Sequence, residues 1–69
     1  MSKRDEVIYH PVSAIVERAT PKAVLLHLEG EEDTVWVPRS VCEGGDSLMV
    51  NDDEDIRIAE WWMKKNGLL

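Results

Sequence analysis

The sequence predicts a small, mainly β (α+β) domain: a curled sheet or barrel of four to five short strands, SH3-like or OB-like, with one C-terminal helix. Two observations lead to this prediction. Short runs rich in β-branched residues are separated by prolines and glycines, and the spacing of apolar residues changes from alternating to helical near the C-terminus. At 69 residues the chain has room for a single domain, 1–69.

The first part of the chain predicts two strands. Val12–Thr20 is rich in β-branched residues and ends before Pro21, which has no amide to donate to a ladder. Lys22–Leu28 alternates in polarity and is the second predicted strand. Residues 1–11 are expected to form an N-terminal arm. The alternation assigns one apolar set to the core face: Val24, Leu26 and Leu28.

The middle of the chain predicts up to three further strands. The acidic connection 29–33 has a length typical of a hairpin, and Thr34–Val37 is its return strand. Paired glycines at 44–45 indicate a turn before a short fourth strand at Ser47–Val50. Alternation at Ile56–Ile58 predicts a brief final strand.

A helix is predicted at 59–66. Glu60 and Lys64 stand four residues apart in the favourable order, and Asn66-Gly67 is a typical C-terminal stop. An alternative begins the helix at Ile56, with the preceding aspartate as its N-cap.

Large aromatic side chains are few. The chain has no Phe, so three tryptophans and Tyr9 supply all the aromatic area, and the core is expected to contain two of the tryptophans. Either Trp61 or Trp62 should anchor the helix to the sheet, with the other only partly buried. Cys42 is the single cysteine, which excludes an intrachain disulfide.

The charge balance limits the possible partners. With 14 acidic and 8 basic residues, the net charge is −6 and the pI is near 4.7. Non-specific binding of nucleic acid needs Lys and Arg to neutralise phosphates, so this balance disfavours it while allowing a local basic face. The apolar runs are too short for a membrane span or a secretory signal, so no membrane association and a cytoplasmic location are expected.

Several segments carry a family resemblance: Lys22-Ala23-Val24-Leu25, Trp36-Val37-Pro38-Arg39-Ser40, Ile58-Ala59-Glu60-Trp61 and Lys65-Asn66-Gly67-Leu68. Over about residues 20–68 the chain resembles small, uncharacterised phage and prophage proteins. These have a Trp-Ile/Val-Pro-Lys/Arg-Ser signature and a C-terminal helix ending in Gly-Leu. The resemblance implies a phage-type accessory role without a defined activity. The chain departs from the pattern in its acidic segment 51–55 and in Trp62.

Trp36 is the first candidate binding residue. It alternates out of phase with the valines on either side, which predicts a position on the outer sheet face near His27. With Lys22 and Arg39 close by, this arrangement would form a platform for single-stranded nucleic acid. The alternative is that Trp36 packs under the C-terminal helix beside Trp61.

Two acidic segments form the second candidate surface. Like the surfaces of proteins that imitate DNA, they would present negative charge to a basic host protein, as an anti-defence inhibitor does. The alternative is that they are solvated loops that keep the domain soluble. The residues are Glu29, Glu31, Glu32 and Asp33 in the first segment, and Asp52, Asp53, Glu54 and Asp55 in the second.

The sequence predicts no enzyme, no cofactor and no metal site. Cys42 lies in no nucleophile motif, and its spacing from His10 and His27 matches no zinc signature. Segment 51–55 lacks the glycine and the distal glutamate of an EF-hand loop. The double glycine at 44–45 lacks the residues of a P-loop.

The leading hypothesis is therefore a non-enzymatic accessory module that binds another macromolecule, most simply a protein, through a sheet face or its acidic loops. The alternatives are an OB-like module for single-stranded nucleic acid and a structural subunit of a larger assembly. Homo-oligomerisation through a strand edge is a further possibility. Convergence of Arg18, Lys22 and Arg39 beside an exposed Trp36 would favour nucleic acid, whereas alignment of the acidic loops would favour a protein.

Overall fold

The computed structural model describes residues 7–69, apart from the side chain of Glu54. Four strands form one antiparallel sheet in the order β3-β2-β1-β4, and a short helix follows β4. The strands are β1 (Tyr9–Ala19), β2 (Ala23–Leu28), β3 (Thr34–Pro38) and β4 (Asp53–Ala59), and the helix is α1 (Glu60–Lys65). The predicted mainly β fold with one C-terminal helix is confirmed.

The sheet is open, with β3 and β4 at its two edges. Beyond β4, Cys42 forms an isolated antiparallel bridge with Ile58, and the amide of Glu43 donates to the carbonyl of Arg57 at 2.8 Å. This contact partly covers the β4 edge. Within residues 7–69 the two edge strands do not pair with each other, so the predicted closure into an SH3-like or OB-like barrel is not shown.

Strand β1 is the longest element and pairs on both sides. It begins at Tyr9, earlier than predicted, because Tyr9 and Pro11 lie opposite Ala59 and Arg57. Residues 9–11 therefore belong to the sheet and not to an arm, whereas residues 1–6 lie outside the described part of the chain. The register with β2 shifts around Glu17, which marks a bulge at this point of β1.

The core is aliphatic. Val24 and Leu26 are fully buried, as their alternation predicts, and Leu28 is half-buried against the core. No tryptophan belongs to the buried cluster, so the prediction of a core built around two tryptophans was wrong. The strands and the segment between β3 and β4 together supply enough branched aliphatic side chains to fill the interior. The buried residues are Ala14, Val16, Val24, Leu26, Val37, Val41, Cys42, Leu48, Ile56, Ile58, Ala59 and Met63.

The chain crosses from β3 to β4 through a connection, 39–52, made of 3₁₀ and other turns. The predicted strand at Ser47–Val50 was wrong. Asp52 closes a turn in its place, because its carboxylate accepts the amide of Met49 at 2.8 Å and its own amide donates to the Met49 carbonyl at 3.0 Å. Asn51 completes this turn with a φ of 78°, a conformation that asparagine tolerates.

Arg39 holds the connection in place. Its guanidinium donates to the carbonyls of Thr20 at 2.8 Å, Gly45 at 2.6 Å and Leu48 at 3.0 Å. These carbonyls belong to the β1–β2 turn and to the connection itself, so one side chain ties two separate segments together. Gly45 packs so closely here that a Cβ atom would overlap the backbone oxygen of Arg39.

The helix begins at Glu60, close to the predicted start, and the alternative start at Ile56 was wrong because Ile56 belongs to β4. Its predicted end is confirmed by a Schellman motif. The amide of Leu68 donates to the Met63 carbonyl at 2.8 Å, and Gly67, with a φ of 75°, donates to the Lys64 carbonyl at 3.3 Å.

Met63 anchors the helix to the core. Its side chain is 3% exposed, whereas Trp62 is half-buried against the core and Trp61 is 55% exposed. The expectation that one tryptophan anchors the helix was wrong, because Trp62 is only partly buried and Trp61 is exposed. The main anchor is a flexible thioether that the sequence pattern did not single out.

We expect Gly45→Ala to destabilise the domain strongly. The new methyl group would overlap the backbone oxygen of Arg39, which accepts the Cys42 amide, so a loss of about 3 kcal/mol in the free energy of unfolding is expected. Urea unfolding followed by circular dichroism measures this loss. Ser40→Ala, at an exposed neighbouring position, is the control. An unchanged midpoint in Gly45→Ala would contradict the packing described here.

We also expect Met63→Ala and Trp61→Ala to differ sharply. Removal of the buried thioether should cost about 2–5 kcal/mol, whereas truncation of the exposed indole should change stability by about 0.5 kcal/mol or less. Thermal unfolding of the two variants provides the comparison. A larger loss in Trp61→Ala than in Met63→Ala would reverse the assignment of the anchor.

Candidate functional site

Both acidic segments lie beside the middle of β1, where β2 ends and β4 begins. Strand pairing places Thr34, His27, Ile15 and Asp53 in a single row across all four strands. The β2–β3 connection, 29–33, leaves from this row, and β4 starts in it. We call this part of the molecule the acidic end. Its described carboxylates belong to Glu29, Glu31, Glu32, Asp33, Asp53 and Asp55.

An open groove of about 480 Å³ lies at the acidic end. Its walls include the apolar residues Ala14, Ile15 and Leu28, and the acidic residues Glu29 and Asp53. Ile15 is 41% exposed, so the groove offers apolar surface to solvent as well as negative charge. A surface of this composition suits a side chain with an aliphatic stem and a cationic tip.

Ser13 links the two acidic segments through β1. Its backbone carbonyl accepts the amide of Glu29 at 2.9 Å, and its hydroxyl donates to a carboxylate oxygen of Asp55 at 3.1 Å. A hydrogen bond from Ser13 on β1 therefore orients the side chain of Asp55, whereas Glu29 is held only through its backbone amide. Sequence reasoning missed this role, because serines of this kind are common on exposed strand faces and carry no distinguishing pattern.

His27 also lies at the acidic end, and both of its ring nitrogens face acceptors. Nδ1 lies 3.1 Å from a carboxylate oxygen of Glu17, and Nε2 lies 2.7 Å from the backbone oxygen of Glu31. A neutral imidazole can donate to only one of these oxygens, whereas a protonated one can donate to both. The ring therefore ties β1 to the acidic β2–β3 connection.

Trp36 lies on the outer face of the sheet and is 48% exposed. It sits directly opposite Leu25, and Leu25 in turn pairs with Arg18 on β1. The predicted outer position is confirmed, and the alternative of packing under the helix beside Trp61 was wrong. The reason is topological: Trp36 belongs to one edge strand, whereas the helix continues from the strand at the opposite edge.

The basic residues do not assemble into one cluster beside Trp36. Arg39 is half-buried, and its guanidinium donates to carbonyls of the β1–β2 turn and of the connection. Lys22 is exposed in the β1–β2 turn, at the opposite end of β2 from His27. Arg18 is the basic residue in the same cross-strand row as Trp36, with Leu25 between them.

The second acidic segment divides between structural and surface roles. Asp52 is half-buried and closes the turn before β4, whereas Asp53 and Asp55 lie on β4 and are exposed. Glu54 lies opposite Ala14 through its backbone, and its side chain lies outside the described part of the chain. The predicted acidic turn at 51–55 is therefore a turn only at its start.

His10 and Glu60 form a contact that the sequence did not suggest. Nε2 of His10 lies 2.7 Å from a carboxylate oxygen of Glu60, which joins the start of β1 to the first residue of α1. This hydrogen bond lowers the pKa of the Glu60 carboxyl from its usual range, with Lys64 adding to the effect. The contact joins the sheet to the helix and lies away from the acidic end.

Cys42 has no features of a nucleophile. It is buried beside β4, and this burial raises the pKa of its thiol to about 11, despite the opposing effect of Arg39. Among the described residues, no group of three or more His, Cys, Asp and Glu side chains is placed to hold a metal ion. Nor does any helix within residues 7–69 have the length and apolar character that a membrane crossing needs.

Comparison of the chain with protein-family models, with curated proteins and with solved structures gives no match. The resemblance to phage and prophage proteins therefore stays a prediction, and functional inference depends on the geometry of the chain itself.

We expect the Cys42 thiol to react slowly with a thiol reagent in the folded protein. With a pKa of about 11, almost none of it is the reactive thiolate at pH 8, and burial restricts access. The rate should rise to that of a free thiol in urea, where the group regains its ordinary pKa. A rate in the native protein within a few-fold of that in urea would show that Cys42 is accessible.

Proposed function

We propose that this chain is a non-enzymatic accessory module that binds a protein through the acidic end, with a basic segment of the partner as its ligand. The convergence of the two acidic segments on one row of the sheet supports this proposal most strongly. Residues distant in sequence contribute carboxylates around a single groove.

The chemistry of the groove specifies the kind of ligand. Carboxylates on Glu29 and Asp53 attract a lysine or arginine, while Ile15 and Leu28 offer apolar surface to the stem of that side chain. Clustered negative charge also accelerates encounter with a basic partner, and salt weakens the effect. Binding of this kind needs no cofactor and no metal ion.

The exposed Trp36 favours a second candidate function, a platform for single-stranded nucleic acid. Two observations weigh against it. The Arg39 guanidinium already donates to backbone carbonyls, and both ring nitrogens of His27 already face acceptors on the protein. The net charge of −6 adds a general repulsion of phosphate.

The resemblance of Trp36–Ser40 and of the C-terminal helix to phage and prophage proteins suggests a biological setting. In that setting the basic partner would be a host protein that processes nucleic acid, and the acidic end would compete with its natural ligand. This anti-defence role in the host cytoplasm is the specific form of the proposal.

A titration followed by amide chemical shifts tests the proposal. We expect a peptide rich in Lys and Arg to shift amides at the acidic end, with an affinity that falls as salt is added. Asp53→Asn should weaken binding about three- to ten-fold, equivalent to roughly 1 kcal/mol. The matched control is Asp46→Asn, which removes the same charge from an exposed turn of the β3–β4 connection, outside the groove.

Two outcomes would contradict the proposal. Equal weakening by Asp46→Asn would show that only net charge matters. Binding of an oligothymidylate at low salt, with quenching of Trp36 fluorescence and no response to the peptide, would favour the nucleic-acid platform.

A further inference from the structure

The two edges of the sheet differ in how they are covered. The β4 edge carries the Cys42 bridge and accepts the Glu43 amide. The β3 edge has no partner strand within residues 7–69. Its register with β2 contains no bulge, and β3 has no lysine, so the devices that protect this edge are its short length and Pro38 at its end.

The pairing pattern shows which backbone groups of β3 face outward. Pro38 has no amide to donate, and the Arg39 amide donates to the Lys22 carbonyl at 2.8 Å. Because hydrogen-bonded and non-bonded pairs alternate in an antiparallel ladder, Val35 and Val37 bond to β2. The backbone N–H and C=O groups of Thr34 and Trp36 therefore point away from the sheet.

We propose that the β3 edge binds a second copy of this chain as an antiparallel strand centred on Trp36. In this register Trp36 lies opposite Trp36 of the second copy, and each Thr34 lies opposite the other copy's Pro38. The two tryptophans exchange two backbone hydrogen bonds, and each Thr34 amide donates to a Pro38 carbonyl. Pro38 needs only its carbonyl at this position, so its missing amide does not prevent the pairing.

Charge favours this orientation over the parallel one. In the antiparallel pair, the two acidic connections, 29–33 of each copy, point to opposite ends. A parallel pair would bring both copies of segment 29–33 together, which is unfavourable for chains that each carry a net charge of −6. The tryptophan side chains meet on the outer face, where each already lies beside Leu25.

The paired segment has only five residues, so we expect a weak dimer that depends on protein concentration. Its arrangement would present two acidic ends facing opposite directions. The dimer does not depend on the proposed function, because the groove lies between β1, β2 and β4 and away from the paired edge.

Cysteine substitution tests both the dimer and its register. Residues in a hydrogen-bonded antiparallel pair have Cα atoms about 5.5 Å apart, a separation that suits a disulfide. Trp36→Cys should therefore form a covalent dimer under mild oxidation at least about ten-fold faster than Thr34→Cys, whose position is opposite Pro38. Trp61→Cys, exposed on the helix, is the control for random collisions, and the buried Cys42 is common to all variants.

Light scattering on the chain without substitutions supplies the second measurement. The mass should rise from monomer towards dimer as concentration increases, and Thr34→Pro, which removes an outward amide without touching the β2 ladder, should stay monomeric. A monomer at all concentrations up to about 1 mM would overturn the proposal. So would Trp36→Cys cross-linking no faster than Trp61→Cys, or Thr34→Cys cross-linking fastest, which would show that the pair is not centred on Trp36.

Discussion

The hydrogen bonds of the Arg39 guanidinium solve the main topological problem of this fold. The chain leaves the sheet from one edge strand and must return as the strand at the other edge, through a connection made only of turns. Such a segment makes few backbone hydrogen bonds with the strands. The planar guanidinium of Arg39 compensates by donating to the carbonyls of Thr20, Gly45 and Leu48. The position of Cys42 beside β4, and with it the burial of that edge, depends on the same contact.

This structural use of Arg39 has consequences for the surface. A cation that sequence reasoning placed beside Trp36 is held by the connection instead, while the described acidic residues of the groove remain exposed. The aliphatic core has a similar effect. Because branched aliphatic residues and Met63 fill the interior, Trp36 and Trp61 are left on the outside. The groove, the open edge and the exposed indoles are therefore all available for contacts with other molecules.

Sequence patterns predicted the features that depend on neighbouring residues. Alternation located β2 and β3, and the Asn66-Gly67 pair located the end of the helix. Features that depend on register could not be predicted. The approach of Asp53 to Ile15, and of Ser13 to Glu29, follows from how distant strands pair, which single-sequence periodicity does not encode. The side of the sheet on which Trp36 lies was predictable, but its exposure depended on where the helix docks.

Residue-resolved hydrogen exchange in dilute solution tests the open sheet most directly. Open-edge geometry predicts slow exchange of the Val35 and Val37 amides, which bond to β2, and fast exchange of the Thr34 and Trp36 amides, which face solvent in the monomer. Equal protection of all four amides at low micromolar concentration would require another strand on β3. That result would contradict the open sheet and support a closed barrel.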